Sequence, residues 1–202
     1  SITDHNRFNY ELYDSLKKKI NNSNSILKHN LPGIEFDVEL ETGKPKCHII
    51  AIFDDSDDDK VSKIEEKMFE VKKLSKPNEY YSLDEFEKVL KKIGINVILI
   101  VHQRQGLDNN SGNTDSLSNA TSNPSEFIKV GFIDSLEYNY PRIEGIVKNS
   151  LRDVGLSFPI ITGSDCHEWN YYPYHDKNTN KIPRDFTKFK CLPTFKGLLM
   201  SI

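Results

Sequence analysis

Hydrophobic positions change their period along this chain, and the changes mark out its elements. Between Asn9 and Ile20 they fall at Tyr10, Tyr13, Leu16 and Ile20, close to the helical template, and Asn21 to Asn24 ends the run. A second short helical stretch is expected around Ser25 to Asn30, ahead of the turn Leu31-Pro32-Gly33. From Ile34 to Leu40 the period drops to two: Ile34, Phe36, Val38 and Leu40 alternate with Glu35, Asp37 and Glu39, which predicts a strand with one apolar face. A turn containing Thr42-Gly43-Lys44-Pro45 follows, and Cys47 to Phe53 (CHIIAIF) reads as a buried strand with a histidine near its start.

Past the acidic run Asp54 to Asp59, Val61, Ile64, Met68, Val71 and Leu74 mark an amphipathic helix. Ser82 with Glu85 three residues on forms a capping box for the next helix, whose core face is Leu83, Phe86, Val89, Leu90 and Ile93 and whose stop is Gly94. Ile95 to Val101 (INVILIV) is a continuous apolar run of the kind found in strands buried on both faces of a parallel sheet, and it leads directly into His102. Leu107 to Ser125 is rich in Asn, Ser, Thr and Asp with almost nothing to bury, so the expectation is a mobile surface insertion. A strand at Phe132 to Tyr138, a helix at Arg142 to Val154 and a strand at Phe158 to Thr162 complete the pattern. Strand and helix alternate, which argues for one α/β domain with parallel strands over residues 1–202.

Composition narrows the function. Twenty-seven Lys and Arg against thirty Asp and Glu leave a charge of −3, so the domain lacks the overall positive field of a dedicated nucleic-acid binder. Three cysteines without CxxC spacing argue against a disulfide framework and a zinc ribbon and suit a reducing, cytoplasmic setting. No stretch approaches the roughly 18 apolar residues of a membrane span, so no membrane partner is expected.

Ligand-type side chains recur where the predicted strands end: Asp4-His5 after Ser1-Ile2-Thr3, His102 after Ile95–Val101, and Asp165-Cys166-His167 after Phe158–Thr162. In parallel α/β folds such ends share a rim, so these residues converge. With Glu35 and His48 they give a pocket of four imidazoles and two carboxylates: His5, His48, His102, His167, Glu35 and Asp165. That set suits zinc, manganese or iron. Asp4 is read as a structural cap and Cys166 as a packed thiol. Asp55, Asp57, Asp59 and Glu66 have the spacing of a calcium loop, but Lys60 stands where such a loop needs glycine.

Thr3-Asp4-His5-Asn6, Gly33-Ile34-Glu35, the His48 strand, His102 and Gly163-Ser164-Asp165-Cys166-His167 follow one another in the order of the PHP (polymerase and histidinol phosphatase) superfamily, which the chain resembles over nearly its whole length. Pro193-Thr194-Phe195-Lys196-Gly197-Leu198 further resembles the segment closing PHP domains fused to AAA- or SMC-like ATPases. The resemblance implies a distorted (β/α)7 barrel with two or three divalent metals at its rim, hydrolysing phosphoesters, DNA or RNA among them, next to a C-terminal ATPase in nucleic-acid processing or phage defence. Carried over, Glu35 bridges two metals, His48 and His102 complete one, Asp165 binds the ion shared with Glu35, and His5 with His167 holds a third. Arg104, two residues past His102, is a candidate phosphate contact. PHP domains open on an HxH motif that this chain lacks, so the resemblance also implies a domain short of its first strand. The other reading is a non-catalytic PHP-like regulatory or interaction module.

Overall fold

The computed structural model describes residues 2–20, 28–76, 78–108, 115–163, 166, 169–171 and 187–202. Helix α1 (Tyr10–Ile20) leads to strands β1 (Gly33–Glu39) and β2 (Cys47–Phe53), then α2 (Asp58–Val61), α3 (Ile64–Val71), β3 (Tyr81–Ser82) and α4 (Leu83–Ile93). Strand β4 (Val97–His102), α5 (Leu117–Ala120), α6 (Pro124–Lys129), β5 (Ser135–Glu137), α7 (Pro141–Asp153), β6 (Ile160–Ile161) and α8 (Phe195–Leu199) follow. The strands form one six-stranded sheet in the order β3-β1-β2-β4-β5-β6, not closed among the described residues. β3 lies parallel to β1, β4 to β5 and β5 to β6, whereas β2 runs antiparallel to both its neighbours. The α/β class expected from the alternation is present, with β2 as the departure from a parallel sheet: only seven residues of turn separate it from β1, too few for a crossover.

Alternation along the strands sorts the two faces. Ile34, Phe36, Val38, Ile49, Ala51, Phe53, Leu99, Val101 and Leu136 point into a large core that also takes Tyr13, Val61, Ile64, Met68, Phe86, Val89, Leu117, Ile128, Val147 and Leu151 from helices α1 to α7. Aromatic edges lock it: Phe36 stands 5.7 Å from Tyr81 and 5.1 Å from Phe86, ring centre to ring centre. The opposite face carries a smaller apolar cluster, Leu31, Ile52, Ile98 and Ile100, covered by Phe195 of α8. Beyond Ile50 and Ile100 that second face turns polar, and the ligand-type residues stand there.

The capping box forms as its spacing requires: Ser82 Oγ accepts from the Glu85 N–H, and the Glu85 carboxylate accepts from the Ser82 N–H at 2.9 Å. Gly94 ends α4 at φ 63, a left-handed conformation glycine adopts without strain. The helix predicted from Val61 to Leu74 divides into α2 and α3 around Lys63. The stretch expected at Ser25 to Asn30 lies mostly outside the described residues, and its last three, 28–30, are not helical.

One expectation fails outright within the described residues. Residues 115–125 are not a loose insertion: Ser116, Leu117 and Ala120 are fully buried, and Ser118, Asn119 and Thr121 nearly so. Their polarity misleads because each polar group has a partner, which removes most of the cost of burying it. The buried Gln103 amide donates to Ser118 Oγ at 3.1 Å and accepts from the Ser118 N–H at 3.1 Å. Gln105 donates to Ser118 Oγ at 2.9 Å and to Asn119 Oδ1 at 2.8 Å, while Glu41 accepts from Thr121 and Ser122. Residues 109–114 lie outside the described residues.

Candidate metal centre

The sheet register gathers the site. Asp37 is paired with His48, and His102 with Glu137. Ile49 opposite Val101 sets His48 beside His102, with ring centres 5.1 Å apart. Opposed residues project to the same side of a sheet, and Glu35, two positions before Asp37, shares that side. Because β2 is reversed, its first residues lie level with the last residues of β1 and β4. His48 therefore reaches the common rim from the beginning of its strand, not from the end.

His5 arrives along the other edge of β1. The Glu35 N–H donates to the Asp4 carbonyl at 3.1 Å, and the Asn6 N–H donates to the Glu35 carbonyl at 2.8 Å. Asn6 turns the chain at φ 52, a conformation asparagine tolerates. Its side chain then grips Asp37, donating to Oδ2 at 3.0 Å and accepting from the Asp37 N–H at 2.9 Å. Asp4 has the structural part expected of it, its carboxylate accepting from the His5 N–H at 2.9 Å.

At the centre, His48 Nδ1 is 2.8 Å from Glu35 Oε1 and His48 Nε2 is 3.0 Å from Asp37 Oδ1. His102 Nε2 is 3.8 Å from Glu35 Oε1 and 2.5 Å from Glu137 Oε2. His5 stands 3.9 Å from Glu35 and 3.8 Å from Asp37. Two trios result, His5 with Asp37 and His48, and Glu35 with His48 and His102, each with its donor atoms within 4.8 Å of one another. Metal–ligand bonds of about 2.0–2.2 Å place donors on a shared ion roughly 3 to 4 Å apart, so both trios are of a size to close on one.

The charges of the centre are strongly coupled. Burial pulls the His48 pKa down, but Asp37 and Glu35 outweigh it and push it up to about 9. Burial pushes Asp37 the other way, yet His48, His5 and Lys46 hold it well below the usual carboxylate range. Burial pushes Glu35 up as well, and His48, His102 and His5 together overcome it and leave the carboxyl lowered. The Asp37 carboxylate, 3.8 Å away, raises His5 against the opposing pull of burial. The raised His48 and the lowered Asp37 and Glu35 favour an imidazolium between ionised carboxylates, with Lys46 as a second positive charge 3.0 Å from Asp37 Oδ2.

A metal fits these residues on one observation. Asp37 Oδ1 and His48 Nε2 are buried and face each other at 3.0 Å, misaligned for a hydrogen bond, and neither has another hydrogen-bond partner among the described residues. A cation between them would take the place of the His48 proton and align both atoms as ligands, which the bent contact does not do for a hydrogen bond. Asp37 and His48 are among the residues lining an open cleft of about 810 Å³.

His5, Glu35, His48 and His102 thus come together as the sequence suggested, while Asp165 and His167 lie outside the described residues. Arg104 joins from behind, its guanidinium 3.3 Å from His102 Nδ1. Sequence reasoning missed Asp37, Glu137 and Asp115. Asp37 was signalled by its period-two relation to Glu35, and Glu137 by its place at a strand end. Asp115, whose carboxylate is 3.5 Å from His48 Nε2, gave no such signal.

The chain matches no protein-family model, no curated protein and no solved structure. Among the described residues no helix is long and apolar enough to cross a membrane.

Proposed function

We propose that the chain is a divalent-metal-dependent phosphoesterase of the PHP type. The observation that carries the reading is the buried Asp37 Oδ1 and His48 Nε2, paired by charge at 3.0 Å without a well-aligned hydrogen bond, flanked by His5, Glu35 and His102 in a group whose Asp37 and His48 line a cleft. Zinc, manganese or iron suits this mixture of imidazole and carboxylate. A bound ion would supply Lewis acidity, drawing charge from phosphoryl oxygens and acidifying a water. Glu137 and Asn6 hold His102 and Asp37 in place, and Lys46, 3.0 Å from Asp37 Oδ2 on the cleft wall, is positioned to meet a phosphoryl oxygen.

The same reading takes the sheet as the larger part of a distorted (β/α)7 barrel. Helices α1 to α7 pack on one face, and the other is apolar low down and ligand-bearing at the rim, as the inner face of a barrel is. Asp165 and His167, which follow β6 in sequence, belong to the proposed ligand set.

The test is equilibrium dialysis with manganese or zinc beside turnover of a chromogenic phosphodiester. Metal uptake with hydrolysis that EDTA abolishes is expected. Metal uptake without turnover of mono- or diesters assigns the chain to the non-catalytic class, and absence of uptake overturns the metal centre itself.

A further inference from the structure

The two trios of the metal centre share His48, but they use opposite nitrogens of its ring. Nε2 faces Asp37 Oδ1 at 3.0 Å, and Nδ1 faces Glu35 Oε1 at 2.8 Å. A neutral imidazole has a lone pair to give from one nitrogen and a proton on the other. An ion on Nε2 therefore leaves the proton on Nδ1, where it is donated to Glu35, and an ion on Nδ1 leaves it on Nε2 for Asp37. Each trio, once filled, turns the carboxylate of the other into a hydrogen-bond acceptor. The two positions are alternatives and not a pair.

The surrounding contacts choose between them. His102 has both nitrogens engaged: the guanidinium of Arg104, which can only donate, stands 3.3 Å from Nδ1, so the ring proton sits on Nε2, 2.5 Å from the Glu137 carboxylate. In that tautomer His102 has no lone pair left for an ion beside Glu35. The other trio is not so held. Asp37 Oδ1 and His48 Nε2 have no aligned hydrogen bond, the His5 side chain is 48% exposed, and a carboxylate oxygen of Asp115 lies 3.5 Å from the same His48 nitrogen. His5, Asp37, His48 and Asp115 all line the open cleft, which Glu35 and His102 do not. We infer that His48 serves one ion at a time, held with His5 and Asp37 on the cleft side, and that Glu35 is the positioning residue behind it. A carboxylate that accepts from the far nitrogen of a ligating histidine fixes its tautomer and raises its basicity. Glu35 then acts through His48 and does not bridge two ions. Single occupancy rests on the metal-centre part of the phosphoesterase reading and does not need the hydrolysis.

Zinc uptake by the whole chain, measured by equilibrium dialysis, is the test. Asp37→Asn is expected to weaken uptake about a hundredfold, and His5→Ala, at a half-exposed side chain, about tenfold or more. His102→Gln should stay within about threefold of the parent. Glu35→Ala is expected to lose about ten- to a hundredfold, and Glu35→Gln, whose side-chain carbonyl still accepts from His48 Nδ1, to recover most of that loss. His48→Ala should lower the number of ions bound per chain by one. Circular dichroism and thermal unfolding in EDTA check that each variant folds. A loss in Glu35→Gln or His102→Gln as large as in Asp37→Asn or His5→Ala, or two ions lost with His48, would overturn single occupancy and leave the metal centre in place. A parent chain that takes up no zinc overturns both. Uptake with the expected ranking and no turnover sinks the hydrolysis alone.

Discussion

The backbone carbonyl of Asp115 accepts the N–H of His48 at 3.3 Å while the Asp115 carboxylate stands 3.5 Å from the Nε2 of the same histidine. Two contacts from one residue tie the polar segment after β4 to the centre of the site. The first fixes the start of β2, and the second adds negative charge to the nitrogen that faces Asp37. Asp115→Asn keeps the carbonyl contact and removes the charge. It is expected to lower manganese or zinc affinity about tenfold in equilibrium dialysis, with the unfolding midpoint nearly unchanged.

His48 belongs to both trios, which makes its loss different in kind from that of its neighbours. His48→Ala is expected to abolish metal uptake, whereas His5→Ala leaves Glu35, His48 and His102, and His102→Ala leaves His5, Asp37 and His48. Metal at a hundredfold excess over its Kd adds about 2.7 kcal/mol, or roughly 5 to 10 °C in Tm for a domain of this size. Thermal scans of the three variants with and without metal check the ranking. Equal loss in all three would contradict the shared role of His48.

Acid and base act on the metal-free protein in opposite senses. His48 has its pKa raised to about 9 because Asp37 and Glu35 outweigh the lowering effect of burial, from an unfolded value near 6.5. A raised pKa stabilises below the unfolded value and is lost as pH climbs through the folded one, so up to about 3 kcal/mol disappears between pH 6.5 and 9. Asp37 and Glu35 are lowered, so their contribution is present above about pH 4 and is lost below it. Stability in EDTA should therefore peak between about pH 4.5 and 6.5. Urea unfolding at pH 5.5, 7.5 and 9.5 measures the decline, and His48→Ala should remove its alkaline arm.

Gln103 is the test of whether the segment after β4 is held by its polar network. Fully buried, it donates to the Gln105 carbonyl at 2.7 Å and exchanges hydrogen bonds with Ser118. Gln103→Ala strands the Ser118 N–H and is expected to cost about 2 to 4 kcal/mol, a cavity and an unsatisfied donor together. Limited proteolysis should then cut near residues 115–121 before the rest of the chain. Unchanged resistance would mean that Leu117 and Ala120 suffice to anchor the segment.

Where period and burial agree, the chain is readable before it folds: α1, β1, β2, α4 and α7 stand within a few residues of their hydrophobic patterns, and the Ser82 box and Gly94 bound α4 as their chemistry requires. Of the four histidine and glutamate positions of the site, His5 and His102 were legible as ligand-type residues at strand ends, whereas Glu35 and His48 lie near the starts of their strands and were added from the two middle strands. The reversal of β2 was not legible, since a buried strand has the same composition in either direction, and with it went the reason His48 works from a strand's beginning. Asp115 and the packed Ser118 and Asn119 were hidden for another reason. Their stability comes from hydrogen bonds to Gln103 and Gln105 in another segment, and no local pattern carries that pairing.

On the face that bears the site, one step along each strand separates hydrocarbon from charge: Ile50 neighbours His48 on that face and Ile100 neighbours His102, with Phe195 sealing the apolar side. That step is a dielectric boundary, and charges placed against it are poorly screened on one flank. How firmly His48 keeps its proton, and how firmly the centre would hold a cation, is therefore set partly by residues that touch neither. Evolution can adjust this centre from beneath, by changing how tightly the hydrocarbon floor is packed, while leaving every ligand in place.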